Sequence, residues 1–413
     1  MIDVNKIYNM DCLEGLKLLD DNSIDSIVTD PPYGLSKEPN IVEVLTHWLN
    51  DKEYKHPSKG FMGKEWDSFV PSPTIWKEVL RVLKPGGHLL CFAGTRTYDL
   101  MCMSIRLAGF EIRDQMQWIY GSGFPKSHDI SKAIDKKLGT YVEGKLLPSS
   151  RTTGASATGI ATTFRKKTAS NPQAPEAQEW DGWGTALKPA HEPIVVARKP
   201  ISEKTIADNV LKWGTGGINI DDCRVGNGGD YLVHNAGSSA SSILQWNSNE
   251  KQESSKEYRS TQGRFPANLI FDEEAGKMLD EQSEITTNTR HMSYKRSGGE
   301  FIDGIPSQPE KDWFKQETGG ASRFFYCAKA SKKERGEGNN HPTVKPLSLI
   351  KYLITLVTPP NGICLDPFEG SGTHALACKE LGFDYIGFEL DDTYYNLANK
   401  RIEEHIKSKN MIK

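Results

Sequence analysis

Ile363 to Leu381 reads ICLDPFEGSGTHALACKEL, and Asp384 to Glu389 follows as DYIGFE. Ile363-Cys364-Leu365 is an apolar run of strand length, and Thr373 to Leu381 reads as a helix. Between them lies the glycine-rich turn Asp366-Pro367-Phe368-Glu369-Gly370-Ser371-Gly372-Thr373. Such a turn lets backbone approach a ligand closely and aims free N–H groups at it. Tyr385 to Phe388 is a second strand, and Glu389 ends it. A carboxylate there can accept both hydroxyls of a ribose, the nucleoside-binding arrangement of doubly wound α/β folds. A lone Gly-x-Gly is an ordinary tight turn. Strand, turn, helix, strand and acid in succession predict a nucleoside cofactor.

The same alternation opens the chain. Ser26 to Thr29 is a short strand running into Asp30-Pro31-Pro32-Tyr33. Thr74 to Leu83 places Ile75, Val79, Leu80 and Leu83 on one helical face, and Pro85-Gly86-Gly87 stops it. Leu89 to Phe92 is a buried strand, Tyr98 to Leu107 a helix and Ile112 to Tyr120 a strand. His191 to Ala197 is a further buried strand; Leu347 to Val357 and Asp391 to Lys407 are helices. Alternation of this kind predicts an α/β fold with a parallel sheet covered by helices. Ser149 to Ser170 and Gly237 to Arg264 are polar and lack a sustained period, which predicts long loops.

Composition bounds the reading. At 413 residues the chain fits roughly two or three structural units. With 37% apolar and 25% charged residues it fits a soluble globular protein. A net charge of -3 does not announce a nucleic-acid binder, which would need its cations gathered on one face. Seven cysteines without CxxC spacing argue against a disulfide framework or a zinc site and for a reduced, cytoplasmic compartment. No signal peptide is evident at the start, and no apolar run approaches the roughly 20 residues of a membrane span. No membrane and no metal are therefore expected.

Asp30-Pro31-Pro32-Tyr33 carries the chemistry. Two prolines remove two backbone donors and fix φ, which holds the Pro31 carbonyl outward beside the Asp30 carboxylate. Two adjacent acceptors suit an NH2 group, and the Tyr33 ring can stack on a base. An exocyclic amine is a poor nucleophile because its lone pair is delocalised into the ring. Acceptors on both hydrogens favour a pyramidal nitrogen whose lone pair faces an incoming methyl group, a stabilisation by fixed dipoles. In Asn340-His341-Pro342-Thr343-Val344-Lys345-Pro346, Lys345 either meets a carboxylate, such as that of a methionine moiety, or is a solvated loop lysine.

These residues together resemble the amino-group DNA methyltransferases, in the order of the β group: catalytic tetrad first, cofactor loop last, recognition region between. Similarity extends through LKPGGHLLCFAGTRT (Leu83 to Thr97), GSGFPKS (Gly121 to Ser127), KPAHEPIVVARKP (Lys188 to Pro200) and SRFFYCAKASKKER (Ser322 to Arg335), which look like phage and prophage methylases. The resemblance implies a Rossmann-like fold: a mixed sheet of about seven strands flanked by helices, with a loop-rich recognition insertion. It implies S-adenosylmethionine held by Asp366, Phe368, Gly370, Ser371, Gly372, Thr373 and Glu389, with Lys345 beside it. Asp11 matches the acid that holds the cofactor adenine; equally, it reads as a helix N-cap before Leu13. Glu369 departs from the family, which usually has a small or apolar residue there.

The implied organisation is a catalytic half at 1–140, a basic loop at 141–182 and a returning strand at 183–203, followed by target recognition at 204–321 and a cofactor half at 322–413. Arg151, Arg165, Lys166 and Lys167 are the first candidates for DNA phosphate contact, then Lys251, Lys256, Arg259 and Arg264; Trp180, Trp183, Trp213 and Trp246 are candidates to wedge or stack. The expected partner is double-stranded DNA, with a homodimer and a separate restriction nuclease compatible with the sequence. Asp at position 30 associates with adenine N6, and cytosine N4 is the alternative. The target base must flip out of the duplex. A glutamine-directed protein methyltransferase fits less well, since those enzymes resemble Asn-Pro-Pro-Tyr and place the cofactor loop first. A catalytically dead DNA-binding regulator is opposed by intact motifs at both ends.

Overall fold

The computed structural model describes residues 2–34, 39–57, 68–123, 127–143, 146–155, 161–167, 171–226, 263–287, 318–328 and 344–410, with the backbone alone over 146–155, 161–167, 286–287, 318 and 407–410. The first half contains β1 (Lys6–Asn9), α1 (Cys12–Lys17), β2 (Ile24–Thr29), α2 (Ile41–Leu49), α3 (Pro73–Val82), β3 (Leu83–Phe92), α4 (Tyr98–Leu107) and β4 (Glu111–Ile119). The middle contains α5 (Ile130–Leu138), β5 (Leu146–Ala155), β6 (Ala161–Lys167), α6 (Pro175–Glu179), β7 (His191–Arg198) and α7 (Ile206–Trp213). It continues with β8 (Leu269–Asp272), α8 (Glu273–Ser283), β9 (Thr286–Thr287) and β10 (Thr318–Gly319). The end contains β11 (Tyr326–Ala328), α9 (Leu347–Val357), β12 (Ile363–Asp366), α10 (Thr373–Leu381), β13 (Asp384–Glu389) and α11 (Asp392–Asn410).

One mixed sheet runs β1-β13-β12-β2-β3-β7-β4-β8-β11. β7 pairs antiparallel with β3 and β4, and the other neighbours pair in parallel. Nine strands replace the expected seven. Two of the nine, β8 and β11, come from 204–321 and 322–413 and extend the sheet beyond β4. They are short, and periodicity alone does not resolve runs of four and three residues.

β2 is buried along its whole length, as a strand covered on both faces must be. In β3 the alternation splits the core in two. Leu89 and Cys91 join Trp76, Val79 and Met101 on one face, while Leu90 and Phe92 join Leu349, Leu353 and Ile354 of α9 on the other. α9 is apolar almost all round and correspondingly buried. Leu347–Val357 and Thr373–Leu381 are helices over the spans read from sequence.

The loop expected over Ser149 to Ser170 is a correction: β5 and β6 form an antiparallel pair, with Arg151 opposite Arg165. Thr152, Thr153, Thr162, Thr163 and Phe164 have β-branched or aromatic side chains that favour extended backbone. The loop expected at Gly237 to Arg264 lies outside the described residues except for Gly263 and Arg264, and so do Trp246, Lys251, Lys256 and Arg259. Among the described residues, no helix is long and apolar enough to cross a membrane.

Gly15 lets α1 approach β13: a Cβ there would lie 2.4 Å from the Phe388 ring, which is fully buried. Alanine gains roughly 0.5–1 kcal/mol over glycine inside a helix. Overpacking a rigid core costs about 1–3 kcal/mol. Gly15→Ala should therefore lower the midpoint of thermal or urea unfolding; a raised midpoint would show that the ring swings aside freely.

Candidate active site

The sheet reverses direction between β2 and β12. From β2 the chain winds on to β3, and from β12 it winds the other way to β13. The carboxyl ends of two such strands open a crevice, the usual ligand site of doubly wound sheets. Asp30 follows β2 and the glycine-rich turn follows β12, so the topology alone brings the two motifs together. The strands are in register at Ser26–Cys364 and Ile27–Leu365. A side-chain bond closes the contact: Thr29 Oγ1 donates to Asp366 Oδ1 at 2.6 Å.

On the β2 side the Tyr33 hydroxyl lies 2.6 Å from Asp30 Oδ1 and 2.9 Å from Glu192 Oε2. Lys345 Nζ lies 2.6 Å from Asp30 Oδ2 and 3.2 Å from Glu192 Oε2. Its side chain is buried, with the ammonium over the Tyr33 and Phe92 rings. Burial works to discharge Lys345, but the two carboxylates outweigh it and raise its pKa. Burial, then Asp30 and Glu192, push the Tyr33 phenol well above its usual range. Lys345 meets a carboxylate, that of Asp30 in the tetrad. Val344 and Lys345 are described, and Asn340 to Thr343 lie outside the described residues.

Glu192 is the residue that sequence reasoning missed. β7 is antiparallel, so its beginning lies at the edge where β2 and β3 end, and Phe92 pairs with Ile194. Its one sequence signal was the stretch Lys188 to Pro200, which carried family resemblance without an assigned role.

On the β12 side Gly370 and Gly372 have φ of 58° and 82°, and a Cβ on Gly372 would meet the Ala398 Cβ at 2.7 Å. Gly370 N donates to Glu389 Oε2 at 2.7 Å, and Asp391 N donates to Glu389 Oε1 at 2.8 Å. Burial pushes the Glu389 carboxyl up to about 7 despite those two donors. Asp366 also accepts from Phe368 N at 2.9 Å; burial and the neighbouring Glu369 raise its pKa. Buried Arg401, also missed, fastens the turn: its Nη1 donates to the carbonyl and hydroxyl of Ser371 and to Thr373 Oγ1.

Glu369, the departure from the family, has a local role. Gly372 at the N-cap of α10 has no side chain, and Glu369 Oε1 accepts from Ala375 N at 2.9 Å instead. Its Oε2 lies 2.9 Å from His374 Nδ1. Burial lowers the His374 pKa, but Glu369 and Cys364 outweigh it and hold the pKa well above the usual histidine value. Two sets of ligand atoms, Cys364–His374–Cys378 and Asp366–Glu369–His374, converge within 4.8 Å and could hold a metal ion. Both sets share His374, whose Nε2 lies 3.5 Å from Cys378 Sγ.

Asp11 caps α1, with Oδ1 accepting from Leu13 N and Glu14 N at 2.9 and 3.3 Å. The preceding Met10 N donates to the carbonyl of Glu389, so Asp11 also stands beside the β13 end of the crevice. Arg151, Arg165, Lys166 and Lys167 lie on the β5–β6 pair. Trp180 and Trp183 are exposed and meet edge to face at 5.2 Å.

The N6/N4 methyltransferase family model, described as DNA methylase, matches residues 24–400. The chain belongs to this DNA methylase family. The Type II methyltransferase M.HindIII of Haemophilus influenzae is 24% identical over 97% of this chain and 95% of its own length. M.ScaI of Streptomyces caespitosus, also a Type II methyltransferase, is 31% identical over 35% of this chain and 42% of its own. Among solved structures, an M1.HpyAVI–SAM complex aligns with 96% of this chain and 98% of its own at 17% identity and a TM-score of 0.37. The cytosine-N4-specific PvuII DNA methyltransferase aligns with 96% and 85% at 14% identity and a TM-score of 0.40.

In this DNA methylase, removing the Glu369 carboxylate strands a buried helix N–H and an imidazole together. Glu369→Ala should cost about 3–5 kcal/mol, the scale of a broken buried pair, while Glu369→Gln keeps an acceptor and costs less. Chemical unfolding measures both, and equal stability of the two variants would refute the capping role.

Proposed function

We propose that this DNA methylase transfers a methyl group from S-adenosylmethionine to N6 of a flipped adenine in duplex DNA. The observation that carries the reading is the Thr29–Asp366 bond, which joins the tetrad to the glycine-rich turn across the crevice. The turn fits the cofactor: Gly370 and Gly372 adopt positive φ, Gly372 leaves no room for a side chain, and Glu389 stands at the rim. Gly370, Ser371, Gly372 and Thr373 would hold the methionine end, Glu389 the ribose, and Asp11 with Phe368 the adenine. When bound, the sulfonium supplies an electrophilic methyl group.

The tetrad prepares the other reactant. Asp30 and the Pro31 carbonyl accept the two amine hydrogens, which draws the nitrogen lone pair out of conjugation. Fixed acceptors of this kind need no rearrangement as charge develops. After transfer the nitrogen carries one proton too many, and Asp30, already bonded to it, takes that proton. The Tyr33 ring stacks on the base. Asp30 supports adenine through its family association.

Duplex DNA is supported by placement. The excursion 120–190 begins after β4 and ends at β7, both at the crevice edge, with Tyr120 N donating to the Ala190 carbonyl at 2.9 Å. It carries β5, β6 and the exposed Trp180–Trp183 pair. Arg151, Arg165, Lys166 and Lys167 would meet phosphates and position the enzyme without specifying a sequence. Similarity to Type II methyltransferases supports a separate restriction nuclease as companion.

Nucleosides from DNA treated with the protein should contain N6-methyladenine by mass analysis. N4-methylcytosine in its place would move the reading to the other amine, and unmodified DNA would end it. Asp30→Ala should lose at least about a hundredfold in rate, the scale of one oriented group, while retaining cofactor binding.

A carboxyl with a pKa of about 7 that must accept ribose hydroxyls binds best when ionised. Cofactor affinity should rise about tenfold from pH 6 to pH 8 by titration calorimetry, following the ionised fraction. Stability without cofactor has the opposite sign: folding holds this proton more tightly, so this contribution falls as pH rises towards 7. Glu389→Gln should flatten both slopes, and a pH-independent wild type would exclude the ribose contact.

A further inference from the structure

The tetrad carboxylate already accepts at both oxygens: Oδ1 of Asp30 from the Tyr33 hydroxyl and Oδ2 from Lys345. A target amine aimed at Asp30 competes with these donors for the carboxylate's lone pairs, and any donor that turns aside frees a site for it. The lysine has three protons and reaches both carboxylates at once. The phenol has one proton and two acceptors in range, at 2.6 and 2.9 Å. Turned away from Asp30 without a second acceptor, that buried O–H would lose its hydrogen bond, and the loss would oppose binding of the amine. Glu192 Oε2 already lies within reach of both the phenol and the ammonium.

We propose that Glu192 is the positioning residue that releases Asp30 to the target amine, by taking over the Tyr33 hydroxyl and sharing Lys345. Two carboxylates and one ammonium also leave the cluster with one net negative charge. That charge favours the positive charge that develops on the amine nitrogen. The inference rests on the proposed amine methylation and adds a residue that acts through Tyr33 and Lys345. The antiparallel β7 supplies it, since only a strand starting at this edge delivers its first residues beside the end of β2.

The test is single-turnover methyl transfer to duplex DNA with labelled S-adenosylmethionine. Glu192→Gln keeps the shape and removes the charge, and should slow transfer at least about tenfold. Cofactor and DNA affinities should stay within about threefold, because no bound group is lost. Glu192→Asp keeps the charge and should recover most of the rate. In a Tyr33→Phe background no phenol proton needs a new acceptor, so Glu192→Gln should cost less there than in wild type. A Glu192→Gln rate within about twofold of wild type, equal cost in both backgrounds, or loss of cofactor or DNA binding in place of rate would each overturn the proposal. A wild-type enzyme that methylates no DNA amine would fail earlier, and would bring down the reading of function itself.

Discussion

The structure depends on the pairing of β2 with β12, two strands from opposite ends of the chain. The chain between them builds β3, β4, β7, β8 and β11 of the same sheet before it returns to β12. Once the pair forms, Asp30 and the glycine-rich turn have no freedom to be elsewhere, since each begins where its strand stops. Buried hydroxyls tie β2 to the end of α9 and to the end of β12. Ser26 Oγ meets Thr358 Oγ1 at 2.8 Å inside the core, and Thr29 holds Asp366 at the rim. Buried polar groups of this kind must find partners, and these have them.

Much of this was legible in the sequence because the elements that build the crevice are long and strongly patterned. Leu347–Val357 and Thr373–Leu381 match their periodicity, and Asp366 to Glu389 reads as strand, turn, helix and strand with an acid at the end. What was not legible depends on partners far along the chain. Nothing near Glu192 or Arg401 announces that one reaches Tyr33 and the other Ser371. Lys345 was legible as a cation seeking a carboxylate, but not which one. Strands β8 and β11 exist through pairing at a sheet edge, and β5 and β6 through pairing with each other, which no local run encodes.

The acids of the cofactor side show how much electrostatic cost the fold carries around its ligand. Asp366, Glu369 and Glu389 stand close together, and burial raises two of their pKa values. Backbone N–H groups from the turn and from the start of α10 offset part of that cost. His374 supplies Glu369 with a buried cationic partner, while Arg401 fastens Ser371 and Thr373 of the same turn. An arrangement so dense in fixed dipoles is stiff, and stiffness is what a site needs when it must hold a small reactive group in line.

The neck of the 120–190 excursion has an architectural consequence. Its two feet stand one backbone hydrogen bond apart, between Tyr120 and Ala190, and they stand at the rim of the crevice. The entropy of closing a chain segment grows only slowly with its length, so the sheet is nearly indifferent to what is mounted there. The catalytic platform works as a socket. Segments of different length and sequence can be mounted there during evolution without disturbing the strands that carry the crevice.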